Sequence, residues 1–299
     1  MPSPDVPRPD RRLVDVDLVR RLVARQLPRW ADLPVRPVAV SGWDNQTFRL
    51  GDHLSVRLPT AREYALAVEK EQRWLPHLAP HLPLQVPEPV AHGEPDDEFA
   101  HPWSVYAWIE GEPATSADAR DPIGFARTLG AFLVALRQVD ATGGPPPGLH
   151  SWFRGGPLDV YDEQTRRFLD ALDALVPRRA ATEVWERALA STWDGPPVWF
   201  HGDVAPGNLL VRDGDLAAVI DFGTCGVGDP ACDLVIAWTV LTGESREAFR
   251  AAVDADRETW ARARGWALWK ALLVWSGSVG RDPAAAADSR RVVEAVLAG

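Results

Sequence analysis

The sequence predicts an α+β protein of two lobes: a small antiparallel sheet with one inserted helix over residues 1–110, and a larger, mostly helical lobe over 111–299. Three observations carry this reading. Short apolar runs separated by turn residues fill the first part, helical periodicities fill the second, and 299 residues correspond to about two ordinary domains. The composition, 46% hydrophobic and 25% charged, is that of a globular chain.

Taken in order, residues 15–27 carry Leu18, Val19, Leu22, Val23 and Leu27 at helical spacing, ended by Pro28. Strands are predicted at 35–41, 47–50 and 53–58, the last two joined by Gly51 and Asp52 as a tight hairpin. A helix follows over 64–78, then strands at 86–93 and 102–110 around the acidic loop 94–100. Beyond Gly111, Asp121 and Pro122 form an N-cap and first-turn pair for a helix to Val139, and TGGPPPG (142–148) is a loop. Further helices are predicted at 159–175, 180–191, 230–242, 245–255, 257–276 and 284–297. Two short strands, LLV and LAAVI, interrupt them around the turn RDGD.

Charge and composition exclude several function classes. The net charge is −10, spread as −3 over residues 1–110 and −7 over 111–299, which disfavours nucleic acid as a partner. The fourteen Trp residues are scattered and read as core. No apolar stretch reaches the ~20 residues of a membrane span, and the N-terminal MPSPDVPRPDRR has no apolar signal region, so a cytoplasmic protein without a membrane partner is expected, as a monomer or homodimer. Cys225 and Cys232, with six residues between them, fit no common zinc spacing and read as buried free thiols. Lysine occurs only at 70 and 270; the other thirty basic residues are Arg.

The stretch VWFHGDVAPGNLLVRDGDLAAVIDFG is the most specific in the chain. His201, Gly202 and Asp203 follow a short apolar strand, Asn208 comes five residues after Asp203, and Asp221, with Phe222 and Gly223, closes the hairpin. This is the spacing of a kinase catalytic loop, HxDxxxxN, followed by a metal-binding DFG element. A loop leaving a strand lets Asp203 face an incoming hydroxyl, and the hairpin brings Asn208 and Asp221 together as hard oxygen ligands for Mg2+. A two-metal phosphoesterase would need clustered His ligands, but the other six His (53, 77, 81, 92, 101, 150) all lie upstream in unrelated segments.

The first lobe offers an independent check. On a wheel of ~100° per residue, Glu71 sits mid-face among Ala67, Trp74, Leu75 and Leu78, where a carboxylate is costly unless paired. Arg57, at the end of a predicted strand, is the upstream cation that would pair with it and face a nucleotide's phosphates. SGWDNQTF (41–48) occupies the place of a phosphate-covering loop, which puts Ser41 among the nucleotide-binding candidates. No Walker A run is present.

With these segments in view, together with VRLP, EKEQRWLP, PWSVYAWIEGE and GVGDPACDLVIAW, the chain from about residue 15 to 297 resembles the aminoglycoside phosphotransferase family. These are small-molecule kinases related to choline kinases on the protein-kinase-like fold. The resemblance implies an enzyme moving the γ-phosphate of ATP, or GTP, to a hydroxyl of a small molecule, with an aminoglycoside-like antibiotic as the first expectation. It implies Asp203 as catalytic base, Asn208 and Asp221 as Mg2+ ligands, Arg57 in place of the usual phosphate-binding Lys, and Glu71 as its partner. Ala107 and Ile109 would offer backbone hydrogen bonds to the adenine.

Two departures stand out: Arg57 is a planar fork and not a point charge, and Ala205 replaces a His found in many relatives. Acidic candidates for a cationic acceptor are Asp159, Asp162, Glu163, Asp256 and Glu258. The alternatives are a metabolic kinase for a sugar, amino alcohol or macrolide, and a catalytically weak nucleotide-binding module.

Overall fold

The computed structural model describes residues 14–38, 42–114 and 119–299. Helix α1 (Val16–Gln26) starts where the Asp15 carboxylate accepts from Leu18 N at 2.8 Å, and it buries Leu18, Val19, Leu22 and Val23. It covers a five-stranded antiparallel sheet of β1 (Val35–Pro37), β2 (Asn45–Leu50), β3 (Leu54–Pro59), β4 (Pro89–Gly93) and β5 (Trp103–Ala107), in the order β1-β2-β3-β5-β4. Phe48, Leu50, Val56, Trp103 and Val105 join the α1 residues in one core cluster.

Helix α2 (Arg62–Leu78) is inserted between β3 and β4, as predicted, but its apolar side belongs to the other lobe. Trp74, Leu75 and Leu78 pack into the large second cluster with Phe132, Trp199 and Phe222. That arrangement places the α2 residues facing the second lobe next to whatever the second lobe's loops carry.

The second lobe begins with a two-residue strand, β6 (Glu112–Pro113), too short and Pro-bearing to leave a sequence signal. Helix α3 (Pro122–Gln138) follows, capped by Asp121 as expected. Helices α4 (Asp162–Ala171) and α5 (Arg178–Leu189) lead to β7 (Val198–Phe200). The predicted hairpin is β8 (Leu209–Arg212) and β9 (Asp215–Val219), with β6 added on the free edge of β8. Strand β10 (Gly226–Gly228) pairs with β7.

The helix predicted over 230–242 is instead a 3-10 turn, Pro230–Val235, running into the one-turn α6 (Ile236–Thr239), because Asp229 caps a tight turn at Ala231 N. Helices α7 (Gly243–Val253), α8 (Arg257–Ser278) and α9 (Pro283–Ala298) complete the chain. Trp185, Trp199, Trp238 and Trp266 are fully buried among them, and Cys225 and Cys232 are buried free thiols.

Candidate active site

The loop after β7 is held by its own backbone. Asp233, buried in the 3-10 turn, accepts from His201 N at 2.8 Å and Gly202 N at 2.7 Å, and His201 Nε2 lies 3.0 Å from Ile220 O. Gly202 has φ 86, and a Cβ there would meet Thr224 O at 2.7 Å, so the residue between His201 and Asp203 must be glycine. Asp203 is thereby turned out of the β7 end. Lys270, on α8, donates to its Oδ1 at 2.6 Å, and Asn208 Nδ2 donates to its Oδ2 at 3.1 Å and its main-chain O at 2.9 Å. Burial pushes the Asp203 carboxyl up, but Lys270 and Arg154 outweigh it and hold the group down at about 2.

At the far end of the hairpin, Asp221 adopts a left-handed backbone, φ 67 and ψ 68, which is uncommon for a residue with a side chain and aims it away from the strand. Arg57, on β3, donates from Nη2 to Asp221 Oδ1 at 2.8 Å, and its Nη1 lies 3.7 Å from Glu71 Oε1. Glu71 is 3% exposed and accepts from the Tyr106 hydroxyl at 2.6 Å. Burial opposes the charge on Arg57, but Asp221 and Glu71 outweigh it and hold the guanidinium firmly charged. The pairing expected from the sequence is therefore present, with Asp221 as a second partner.

Arg57, Asn208 and Asp221 line a cavity of about 850 Å³, with Ala107 and Ile109 on its inner wall. The Ala107 N–H is spent on Glu88 O at 2.9 Å and the Trp108 N–H on His53 O at 2.8 Å, so Ala107 has only its carbonyl to offer a base. Ile109, Leu210 and Ile220 give it an apolar wall, backed by the buried Ala218. Ser41 lies outside the described residues.

The oxygens left over fit Mg2+. Because Asn208 turns its amide nitrogen to Asp203, its Oδ1 is uncommitted, and Asp221 keeps Oδ2 beside the oxygen that Arg57 binds. Among the described residues no group of three or more His, Cys, Asp or Glu is placed to hold a metal, and two side-chain oxygens suit Mg2+, which can take its other ligands from phosphates and water.

The sequence profile of the phosphotransferase enzyme family matches residues 34–266. The chain belongs to this family. Solved structures agree on the fold of this phosphotransferase. A GDP and kanamycin complex of APH(2")-IIia is 18% identical, with a TM-score of 0.70 over 94% of this chain and 98% of that one. ADP-bound aminoglycoside phosphotransferase APH(2")-Ib is 18% identical, with a TM-score of 0.61 over 94% and 98%. The macrolide 2'-phosphotransferase MphH from Brachybacterium faecium is 26% identical, with a TM-score of 0.60 over 91% and 97%. No curated protein sequence matches.

The five carboxylates offered for a cationic acceptor stand elsewhere in the phosphotransferase. Asp162 accepts from Trp185 Nε1 at 2.7 Å and pairs with Arg166, Glu258 pairs with Arg187, and Asp256 caps α8 through Thr259 N. Asp159 and Glu163 are exposed near the start of α4. None of the five lines the nucleotide cavity or the recess beside Asp203.

Several groups at the site escaped the sequence reading. Lys70 is buried and donates to Gly223 O at 2.7 Å and Cys225 O at 3.0 Å, gripping the loop just after Asp221. Burial pushes its ammonium pKa down. Asp44, before β2, has its carboxyl pushed up to about 7, first by burial and then by the charges of Asp221 and Asp203. With Lys270, Arg154 and Asp233, these are residues whose neighbours come from distant elements. One signal was available: the chain keeps lysine at only 70 and 270, and both are at the site.

Proposed function

We propose that the protein is a Mg2+-dependent O-phosphotransferase that moves the γ-phosphate of ATP or GTP to a hydroxyl of a small molecule. The observation that carries this reading is the convergence of Asp203, Asn208 and Asp221 beside one nucleotide-sized cavity that Arg57 lines. In this reading residues 1–110 form the nucleotide lobe and 111–299 carry the catalytic loop and the acceptor site.

Asp203 orients the acceptor hydroxyl and takes its proton. Arg57, kept in place by Glu71 and Asp221, faces the phosphates, and Tyr106 keeps the Glu71 carboxylate from turning away. Asn208 and Asp221 would hold Mg2+, which supplies charge neutralisation for the phosphoryl group. A low pKa does not disqualify Asp203, because in a loose phosphoryl-transfer transition state positioning outweighs proton abstraction.

Nucleotide use draws support from the GDP- and ADP-bound structures that share the fold. The solved structures that share the fold include a kanamycin complex and a macrolide 2'-phosphotransferase, which supports an antibiotic-like acceptor. A polycationic aminoglycoside, however, calls for acidic walls, and Asp203 is the single carboxylate lining the recess beside it. Among the described residues no helix is long and apolar enough to cross a membrane, and a nucleotide-dependent reaction suits the cytoplasm.

The test is Mg2+-dependent release of ADP or GDP across aminoglycosides, macrolides, sugars and amino alcohols. Stimulation by an acceptor, lost in Asp203→Asn, is the expected result. Tight nucleotide binding with no transfer to any acceptor would replace the enzyme by a nucleotide-binding module.

A further inference from the structure

Asp203 lines one of two cavities that share no lining residue. One is the nucleotide cavity; the other is a small recess lined by Asp203, Arg154, Lys270, Trp266 and Trp269. The second, of about 10 Å³, has room for a single polar group beside Asp203. Its charged groups are two cations and one carboxylate, and the carboxylate is Asp203 itself.

Both cations are fixed. Lys270 spends one N–H on Asp203 Oδ1 and has two more. The Arg154 guanidinium lies 5.3 Å from the centroid of the Trp269 ring, is only partly exposed, and makes no ion pair among the described residues. Its backbone is set by a run of unusual conformations, with Trp152 at φ 49, Phe153 at φ 56 and Gly155 at φ 78. A Cβ at Gly155 would meet the Phe200 ring at 2.0 Å. Such conformations persist where surrounding structure imposes them, and they recur at ligand clamps. Asp203 is the one carboxylate that the two cations of the recess share, and a second anion balances the remaining positive charge.

We propose that Arg154 and Lys270 form an anion subsite beside Asp203, and that the acceptor is a small hydroxylated acid whose carboxylate or phosphate they hold. This rests on the phosphotransferase reading above. In the step, the acceptor hydroxyl oxygen bonds to the γ-phosphorus, the bond from that phosphorus to the β–γ bridging oxygen breaks, and the nucleoside diphosphate leaves. The hydroxyl proton goes to Asp203. An aminoglycoside would bring its ammonium groups against two cations at the same place.

The experiment measures Mg2+-ATP-dependent ADP release with matched acceptors. Gluconate, glycerate and glycerol phosphate are set against glucitol, glycerol, glucosamine and kanamycin, and Mg2+-ATP binding is measured separately. The expected result is turnover with one or more acids at a kcat/KM about tenfold or more above the neutral and cationic compounds. Equal or better turnover with neutral or cationic compounds overturns the proposal, as does no turnover with any acid in protein that binds nucleotide. Absence of nucleotide binding overturns the phosphotransferase reading itself, and the subsite with it.

Arg154→Met, which keeps the packing on Trp269, should raise KM for the acid about tenfold, with partial recovery in Arg154→Lys. An unchanged KM in folded Arg154→Met contradicts the subsite. If that variant instead weakens a non-hydrolysable ATP analogue while ADP affinity and the acid's KM hold, the anion is the transferring phosphoryl group. The acidic-acceptor claim is then overturned.

Discussion

Arg57 and Asp221 are 164 residues apart in sequence and joined by a 2.8 Å hydrogen bond, so a cation of the β-sheet lobe and a carboxylate of the helical lobe form one unit. Glu71 sits on the other side of the guanidinium, and Tyr106 closes the chain. A charge chain this enclosed is more costly to break than to keep.

Removing Arg57 is therefore expected to damage stability as well as nucleotide use. Arg57→Ala should cost about 3 kcal/mol by leaving Glu71 buried without its cation, and Glu71→Gln should cost less because the Tyr106 bond can survive. The double variant should be less destabilised than the sum of the two, measured by urea unfolding; strict additivity would show that the two side chains do not interact.

Lys70→Met should misplace the segment after Asp221, because two carbonyls lose their buried donor. A loss of about 1–3 kcal/mol in stability and a larger relative loss in kcat than in nucleotide affinity are expected. A variant with normal stability and kcat would remove Lys70 from the account.

Asp44 supplies a pH dependence. Its carboxyl titrates at about 7 in the folded metal-free protein against the ordinary 3.8, so the folded state holds the proton more tightly. Relative to an uncharged side chain, Asp44 costs nothing below about pH 4, costs progressively more between pH 4 and 7, and its cost levels off above 7. Asp44→Asn should thus stabilise metal-free protein at pH 8, raising its Tm, by up to about 4 kcal/mol, and leave it unchanged near pH 4. An equal gain at both pH values would mean the effect is not titration of this group.

How much of this was legible in the sequence depends on range. The five strands, the inserted helix and the Asp121 cap follow from local periodicity and turn chemistry, and the Asp203 loop and hairpin from spacing within twenty residues. Glu71 was legible because a carboxylate on an apolar helix face demands a partner, and Arg57 was the nearest. Lys270, Arg154, Lys70 and Asp233 were not, because each acts on a loop that arrives from elsewhere in the chain and no local pattern records the meeting. The five acidic candidates stand away from both cavities for the reverse reason. Local acidity in a first helical turn is satisfied by capping and by neighbouring Arg, as at Asp162 and Asp256, and says nothing about a pocket.

The central claim is phosphoryl transfer at Asp203. It is tested most directly by following label from γ-labelled Mg2+-ATP into a pool of hydroxylated acids, polyols and amino sugars, with wild type and Asp203→Asn side by side. The account predicts labelled product from the wild type and a rate about a thousandfold lower from the variant, with nucleotide affinity kept. Equal labelling by the two proteins, or nucleotide bound tightly by wild type with no label transferred, would contradict it.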